Sequence, residues 1–303
     1  VSALPAEIPY QVFAPGNPPG RPGEAGCAPA FFTHANGYPP ACYTPLLERL
    51  AVRRQVLAMD LRPLWPGEQP KKLKDWRILS ADALEFLRQR ACAPVIGVGH
   101  SVGAITLLRA ALSRPDQFSA LILIEPVLMP PWVVLLWQVM SAFHLAEQVH
   151  PLTKSAQRRR QIFASREELF RGYRRKSIFR YLDDASLRAY TNGLVEDLAD
   201  GRVGLRYSVD WEVQIYATGV KADLDLWFGL PKLKVPLLII RGAETDTTWA
   251  STARLVQMIR PATRIVTLQK ATHLAPLEQP QLIAEIIENF LGEVGLTQQE
   301  QRQ

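Results

Sequence analysis

The segment Val95-Ile-Gly-Val-Gly-His-Ser-Val-Gly-Ala104 constrains the fold more than any other stretch of this chain. A short β-branched run passes through Gly99-His-Ser-Val-Gly103 straight into an apolar helical pattern, Ala104 to Leu112. A strand that becomes a helix within a Gly-x-Ser-x-Gly pentapeptide has little room. The serine is held at the tip of a strained turn, its hydroxyl exposed and the next backbone N–H beside it, while the flanking glycines let helix and strand approach without a Cβ clash. Alone, such a pentapeptide also occurs as a solvent-facing loop or a helix N-cap, so the weight rests on the strand before it and the helix after it. A loosened dinucleotide-binding turn, Gly97-x-Gly99-x-x-x-Gly103, overlaps the same residues, with Glu125 placed as a ribose-binding acid. That fingerprint is one residue too long and begins after an earlier strand-helix-strand set, which disfavours a nicotinamide or flavin enzyme.

Around this elbow, strands and helices alternate, which predicts an α/β fold with a mostly parallel central sheet flanked by helices. Edge strands are expected before residue 20, ahead of a Pro/Gly-rich loop, Gly16 to Gly23. Strands then follow at Pro29–His34, Gln55–Asp60, Ala93–Gly99 and Ser119–Glu125, with helices at about Tyr43–Val52, Asp75–Ala91 and Ala104–Leu112. From Pro126 to Leu230 the alternation stops and the composition turns basic and aromatic. It resumes with strands at Val235–Gly242 and Thr263–Leu268 and helices over Trp249–Ile259 and Gln279–Leu291. The organisation expected is therefore a core of residues 1–127 and 231–303 with a helical cap insertion at 128–230, and a frayed polar tail from Gly295.

The 303 residues, 48% hydrophobic and 21% charged, have globular rather than disordered composition. The formal charge of +6 is concentrated between Lys154 and Arg180, where Phe163, Phe170, Tyr173 and Phe179 recur at near-helical spacing. That pattern predicts a solvated cationic face over a buried aromatic stripe, not a nucleic-acid surface. Cys27, Cys42 and Cys92 form no paired or Cys-x-x-Cys spacing, so no disulfide framework, zinc site or other metal site is expected. Together with a start, Val1 to Ile8, that lacks basic and long apolar regions, this predicts a cytoplasmic protein. The most apolar run, Val127 to Phe143, is interrupted by Pro130, Pro131 and Gln138 and is too short for a transmembrane segment. It reads as a buried helix or as a lid whose Trp132, Trp137, Met140 and Phe143 bind an apolar substrate group.

A serine at an elbow is a weak nucleophile until a base takes its proton and an acid orients that base. Of five histidines, His273 is the candidate base, because it lies in Lys270-Ala-Thr-His-Leu-Ala-Pro276, just after the last strand. Three acids follow strands whose carboxyl ends could face it: Asp246, Glu244 and Glu125. Asp246 is preferred, which gives the chain order Ser101, Asp246, His273. The oxyanion hole is expected from the Val102 N–H and from Tyr38 N–H in the loop Thr33-His-Ala-Asn-Gly-Tyr38, with Ala35 N–H as an alternative donor.

On these residues the chain resembles the serine-nucleophile, esterase- or lipase-like members of the α/β-hydrolase fold family, with a His-x-x-Gly oxyanion loop and a cap insertion. The resemblance covers residues 28–127 and 231–293. It implies a cofactor-free serine hydrolase that cleaves a carboxylic ester with a hydrophobic acyl or alcohol group through an acyl-enzyme. Hydrolysis of a C–C bond, a lactone or a thioester uses the same triad, and a non-catalytic ligand-binding protein of the same fold is the alternative of another class. One departure is the insertion of Ala35-Asn36 where relatives carry His-Gly before the aromatic residue. In haloalkane dehalogenases of this fold an acid at the position of Glu125 serves the histidine, but those enzymes use a carboxylate nucleophile where Ser101 stands here.

Overall fold

A computed structural model describes residues 4–14, 28–70, 73–90, 92–142 and 151–296. Phe143, Cys27, the whole Pro/Gly-rich loop and the last seven residues lie outside them. The strands are β1 Tyr10–Phe13, β2 Ala30–Thr33, β3 Val56–Met59, β4 Val95–His100, β5 Phe118–Ile124, β6 Ile162–Phe163, β7 Val195–Asp197, β8 Val203–Leu205, β9 Leu237–Gly242 and β10 Arg264–Leu268. The α-helices, in chain order, are α1 Thr44–Ala51, α2 Arg77–Arg90, α3 Val102–Ser113, α4 Pro131–Ala142, α5 Pro151–Gln157 and α6 Arg166–Arg174. They continue with α7 Asp184–Leu194, α8 Val209–Thr218, α9 Leu224–Gly229, α10 Ala250–Ile259, α11 Ala275–Glu278 and α12 Pro280–Glu293.

Seven strands form one sheet in the order β1-β3-β2-β4-β5-β9-β10, parallel throughout except for the antiparallel edge strand β1. Parallel strands covered on both faces need apolar residues at every position, and β2 through β5 are buried along nearly their whole length. The two-residue alternation then sorts neighbours to opposite faces. Phe32, Val98, Ile122 and Ile240 pack under α1 and α12 with Leu46, Leu47, Ile287 and Phe290, whereas Phe31, Leu121, Leu123 and Ile239 meet Phe86 of α2 and Ile105 and Leu108 of α3. This two-faced core explains why the strand positions were legible as continuous apolar runs.

Between β5 and β9 the chain leaves the sheet. The segment is mostly helical and also contains a three-stranded antiparallel sheet, β6-β8-β7, whose two- and three-residue strands are too short to leave a periodic signature. The aromatic stripe is buried: Phe163, Phe170, Tyr173 and Phe179 join the core under α7 and are unavailable for stacking at the surface. Many of the surrounding cations are paired, including Arg160 with Glu168, Arg166 with Asp197 and Arg180 with Glu244. No described helix is long and apolar enough to cross a membrane.

Candidate active site

The sheet order brings the carboxyl ends of β2, β4, β5 and β9 side by side, the edge where open α/β sheets place their ligands. Ser101 follows β4 at φ 58° and ψ −120°, a strained conformation for a residue with a side chain. The neighbouring glycines show why the turn closes. A Cβ on Gly99 would stand 2.7 Å from the Ala104 Cα, and one on Gly103 would stand 2.4 Å from the Thr33 carbonyl oxygen, so α3 packs against β4 and β2 only without those side chains.

The loop after β10 carries His273 to this serine. Its approach depends on Gly242, where a Cβ would meet the Ala271 carbonyl oxygen at 2.3 Å, and on Glu278, whose carboxylate accepts hydrogen bonds from the Thr272 N–H and hydroxyl, both at 2.7 Å. His273 Nε2 lies 3.0 Å from Ser101 Oγ. On the far side of the ring, Nδ1 faces Glu125 Oε2 at 3.3 Å, a little long for an N–H···O bond, as resting active sites commonly are.

Glu125, not Asp246, is therefore the acid beside the imidazole. The residue follows β5 at φ 47°, is fully buried, and its carboxylate also accepts the Gly242 N–H at 2.5 Å and the Thr245 hydroxyl. The left-handed backbone turns the side chain along the sheet edge toward β9 and the histidine loop. Asp246 instead lies exposed, its carboxylate accepting the Thr247 hydroxyl at 3.2 Å. Glu244 is also outside the site, bound to Arg180 Nη2 and to the Tyr181 hydroxyl, each at 2.7 Å. The signal for Glu125 was present in the sequence as a carboxylate directly after the apolar run Ala120–Ile124, but its direction depends on a backbone angle that sequence does not reveal.

The loop after β2 also departs from expectation. Tyr38 N–H donates to the Ala35 carbonyl at 3.2 Å, closing a tight turn with Gly37 at φ 76°, and Ala35 N–H donates to the Tyr43 hydroxyl at 3.1 Å. Neither expected donor is free for an oxyanion. The N–H groups of Asn36 and Val102 have no hydrogen-bond partner among the described residues. Asn36 is fixed by the insertion: its Nδ2 donates to the Glu212 carbonyl at 2.9 Å and its Oδ1 accepts the Tyr207 hydroxyl at 2.9 Å. Glu212 in turn pairs with Arg159 at 2.7 Å, directly over Gly37. His34, which starts the loop, accepts Leu61 N–H at Nε2 (3.0 Å) and donates from Nδ1 to the Ala35 carbonyl (2.8 Å); burial lowers its pKa to about 4.

The expected apolar substrate residues divide. Trp132 on α4 is 62% exposed and stands 6.3 Å from the Trp249 ring, so it faces solvent instead of lining an enclosed pocket. Trp137 and Met140 are half-buried, and Phe143 lies outside the described residues.

The sequence profile described as "Alpha/beta hydrolase family" matches residues 13–286. A curated Bacillus subtilis (strain 168) protein with the provisional name 2-succinyl-6-hydroxy-2,4-cyclohexadiene-1-carboxylate synthase is 24% identical over 226 residues, 71% of this chain and 72% of its own length. Among solved structures, an E-2-(acetamidomethylene)succinate hydrolase superposes with a TM-score of 0.72 at 20% identity, covering 94% of this chain and 96% of the other. A Mycobacterium tuberculosis esterase superposes with a TM-score of 0.67 at 20% identity, over 88% and 86% of the two chains.

Proposed function

This chain belongs to the alpha/beta hydrolase family, and on that premise we propose that it is a serine hydrolase that cleaves a carboxylic ester with a hydrophobic acyl or alcohol group through an acyl-enzyme. The observation that carries the proposal is the continuous chain from Ser101 Oγ to His273 Nε2 at 3.0 Å and from His273 Nδ1 to the buried Glu125 carboxylate at 3.3 Å. In this mechanism His273 Nε2 takes the Ser101 proton as Oγ attacks the acyl carbonyl, and returns it to the departing alcohol. Glu125 accepts the Nδ1–H bond, which fixes the ring orientation and stabilises the imidazolium that forms. Water, deprotonated by the same nitrogen, then releases the acid.

The N–H groups of Val102 and Asn36 are the oxyanion donors in this scheme. Val102 opens α3, where first-turn N–H groups have no intrahelical acceptor, and Asn36 is anchored by Glu212 and Tyr207. Those two bonds also support reading residues 128–230 as a cap across the carboxyl edge of the sheet, with Trp137 and Met140 as candidates for contact with the apolar group.

Labelling with a fluorophosphonate probe, wild type beside Ser101→Ala, with intact mass to locate the adduct, tests the reading. A single adduct lost in the variant supports it, and no adduct on folded wild-type protein refutes it. A panel of p-nitrophenyl esters, lactones, thioesters and C–C-cleavable diketones then sorts the bond type; turnover confined to any class but the open-chain esters would replace the ester assignment.

A further inference from the structure

We propose that His100, the residue before the nucleophile, is a positioning residue that links the oxyanion loop to the backbone of His273 through Tyr43. The assignment rests on the serine-hydrolase reading above. His100 ends β4 with its imidazole fully buried. Its Nε2 lies 2.9 Å from the backbone carbonyl oxygen of His273, and its Nδ1 lies 2.7 Å from the Tyr43 hydroxyl. The Tyr43 oxygen is also 3.1 Å from the Ala35 backbone nitrogen, in the loop that carries Asn36. A single line of hydrogen bonds thus joins three segments that are far apart in sequence.

The proton inventory of this line has one solution. A carbonyl oxygen only accepts, so His100 Nε2 carries the hydrogen. Burial and the adjacent His273 hold the His100 pKa well below its ordinary value, so the ring is neutral and Nδ1 is bare. The Tyr43 hydroxyl must then donate to Nδ1, and its oxygen is left to accept the Ala35 N–H. Burial raises the Tyr43 pKa well above its usual value, which keeps that hydroxyl protonated. Every buried donor and acceptor in the line is used once. Such a line is directional, and it leaves no low-energy alternative tautomer.

The consequence is geometric. The oxyanion donor at Asn36, the nucleophile at Ser101 and the base at His273 must stay in register to a fraction of an ångström, and misplacement by about 1 Å costs on the order of a hundredfold in rate. His100 is peptide-bonded to Ser101, and its ring lies 5.0 Å from that of His273, centroid to centroid. An apolar side chain of similar volume would fill the same space. It would leave the His273 carbonyl without a donor and the Tyr43 hydroxyl proton without an acceptor, freeing both loops to shift relative to the elbow.

The test measures the second-order rate constant for fluorophosphonate acylation, with its pH profile, in wild type, His100→Leu, His100→Gln and Tyr43→Phe. The ¹⁵N shifts of His100 are recorded in the wild-type protein. Acylation should slow by about a hundredfold in His100→Leu and recover to within about tenfold of wild type in His100→Gln, which retains an N–H for the His273 carbonyl. Tyr43→Phe should slow acylation while leaving the shape of the pH profile in place, and the ¹⁵N spectrum should show a neutral His100 Nε2–H tautomer from pH 5 to 9. Acylation at the wild-type rate in His100→Leu overturns the proposal. So does equal slowing in the Leu and Gln variants, which would mean that only packing matters, or a protonated Nδ1. If His100→Leu fails to fold, the Gln and Tyr43→Phe rates and the spectrum still decide. Wild-type protein that does not label at all removes the serine-hydrolase reading, and this assignment with it, whereas a labelled wild type with an unaffected His100→Leu removes this assignment alone.

Discussion

Replacing Glu125 with glutamine separates the two candidate acids, and its effect follows from the geometry. The carboxylate is fully buried and faces His273 Nδ1 at 3.3 Å, so its attraction for the imidazolium formed in the transition state is roughly 5 kcal/mol at an effective dielectric constant near 20. The amide of the Glu125→Gln variant would keep one accepting oxygen for three donors, the imidazole, the Gly242 N–H and the Thr245 hydroxyl, and would aim an NH2 group at one of them. Allowing for partial recovery through the remaining amide dipole, about 3 to 5 kcal/mol of transition-state stabilisation is lost, which is a fall in kcat of roughly 10² to 10⁴. Asp246 is exposed and its carboxylate bonds only the neighbouring Thr247 among the described residues, so Asp246→Asn should leave kcat within about twofold, as surface substitutions usually do. The assay is p-nitrophenyl ester turnover under saturating substrate, with thermal melts confirming that each variant is folded. A Glu125→Gln protein that retains kcat within about fivefold, or an Asp246→Asn protein that loses more than about a hundredfold, would show that the imidazolium does not depend on the buried charge.

Gly103→Ala should lower the unfolding midpoint in urea by the equivalent of about 1 to 3 kcal/mol or prevent folding, because its Cβ would overlap the Thr33 carbonyl at 2.4 Å; an unchanged midpoint would mean that α3 tolerates a shift the packing does not suggest. The His34 contribution to stability should fall as pH drops from 6.5 to 4: the ring is held neutral in the folded protein at a pKa of about 4, so the unfolded chain binds the proton first, which removes up to about 3 kcal/mol across that window. The stability of His34→Gln relative to wild type should therefore rise as pH falls from 6.5 to 4, and a difference between the two urea midpoints that stays constant with pH would refute the His34 contribution. Arg159→Met should cost about 3 kcal/mol by leaving the Glu212 carboxylate buried without its partner, and Arg159→Met combined with Glu212→Leu should regain most of it; additive losses in the double variant would show that the pair is not coupled.

Features with a local cause could be read from the order of residues alone. The elbow was legible because glycine spacing, a β-branched run and an apolar helix lie within about eighteen consecutive residues, Val95 to Leu112, and steric exclusion at Gly99 and Gly103 acts over that same range. The buried strands were legible because a parallel sheet covered on both faces demands unbroken apolar runs, and His273 because it stands in the loop directly after the last strand. Whatever turns on a direction, or on a partner distant in the chain, was set by the packing of the folded protein. Glu125 and Asp246 both follow strands of one sheet, and only the φ of 47° at Glu125 and the donors at Gly242 and Thr245 bring its carboxylate to the imidazole. Tyr38 and Ala35 each offered a plausible N–H, yet a turn consumed one and the Tyr43 hydroxyl the other. The physical reason is the same in each case: a backbone or side-chain polar group is committed by whichever partner lies within about 3 Å, and that distance is set by packing between segments, not by the residues beside it in sequence.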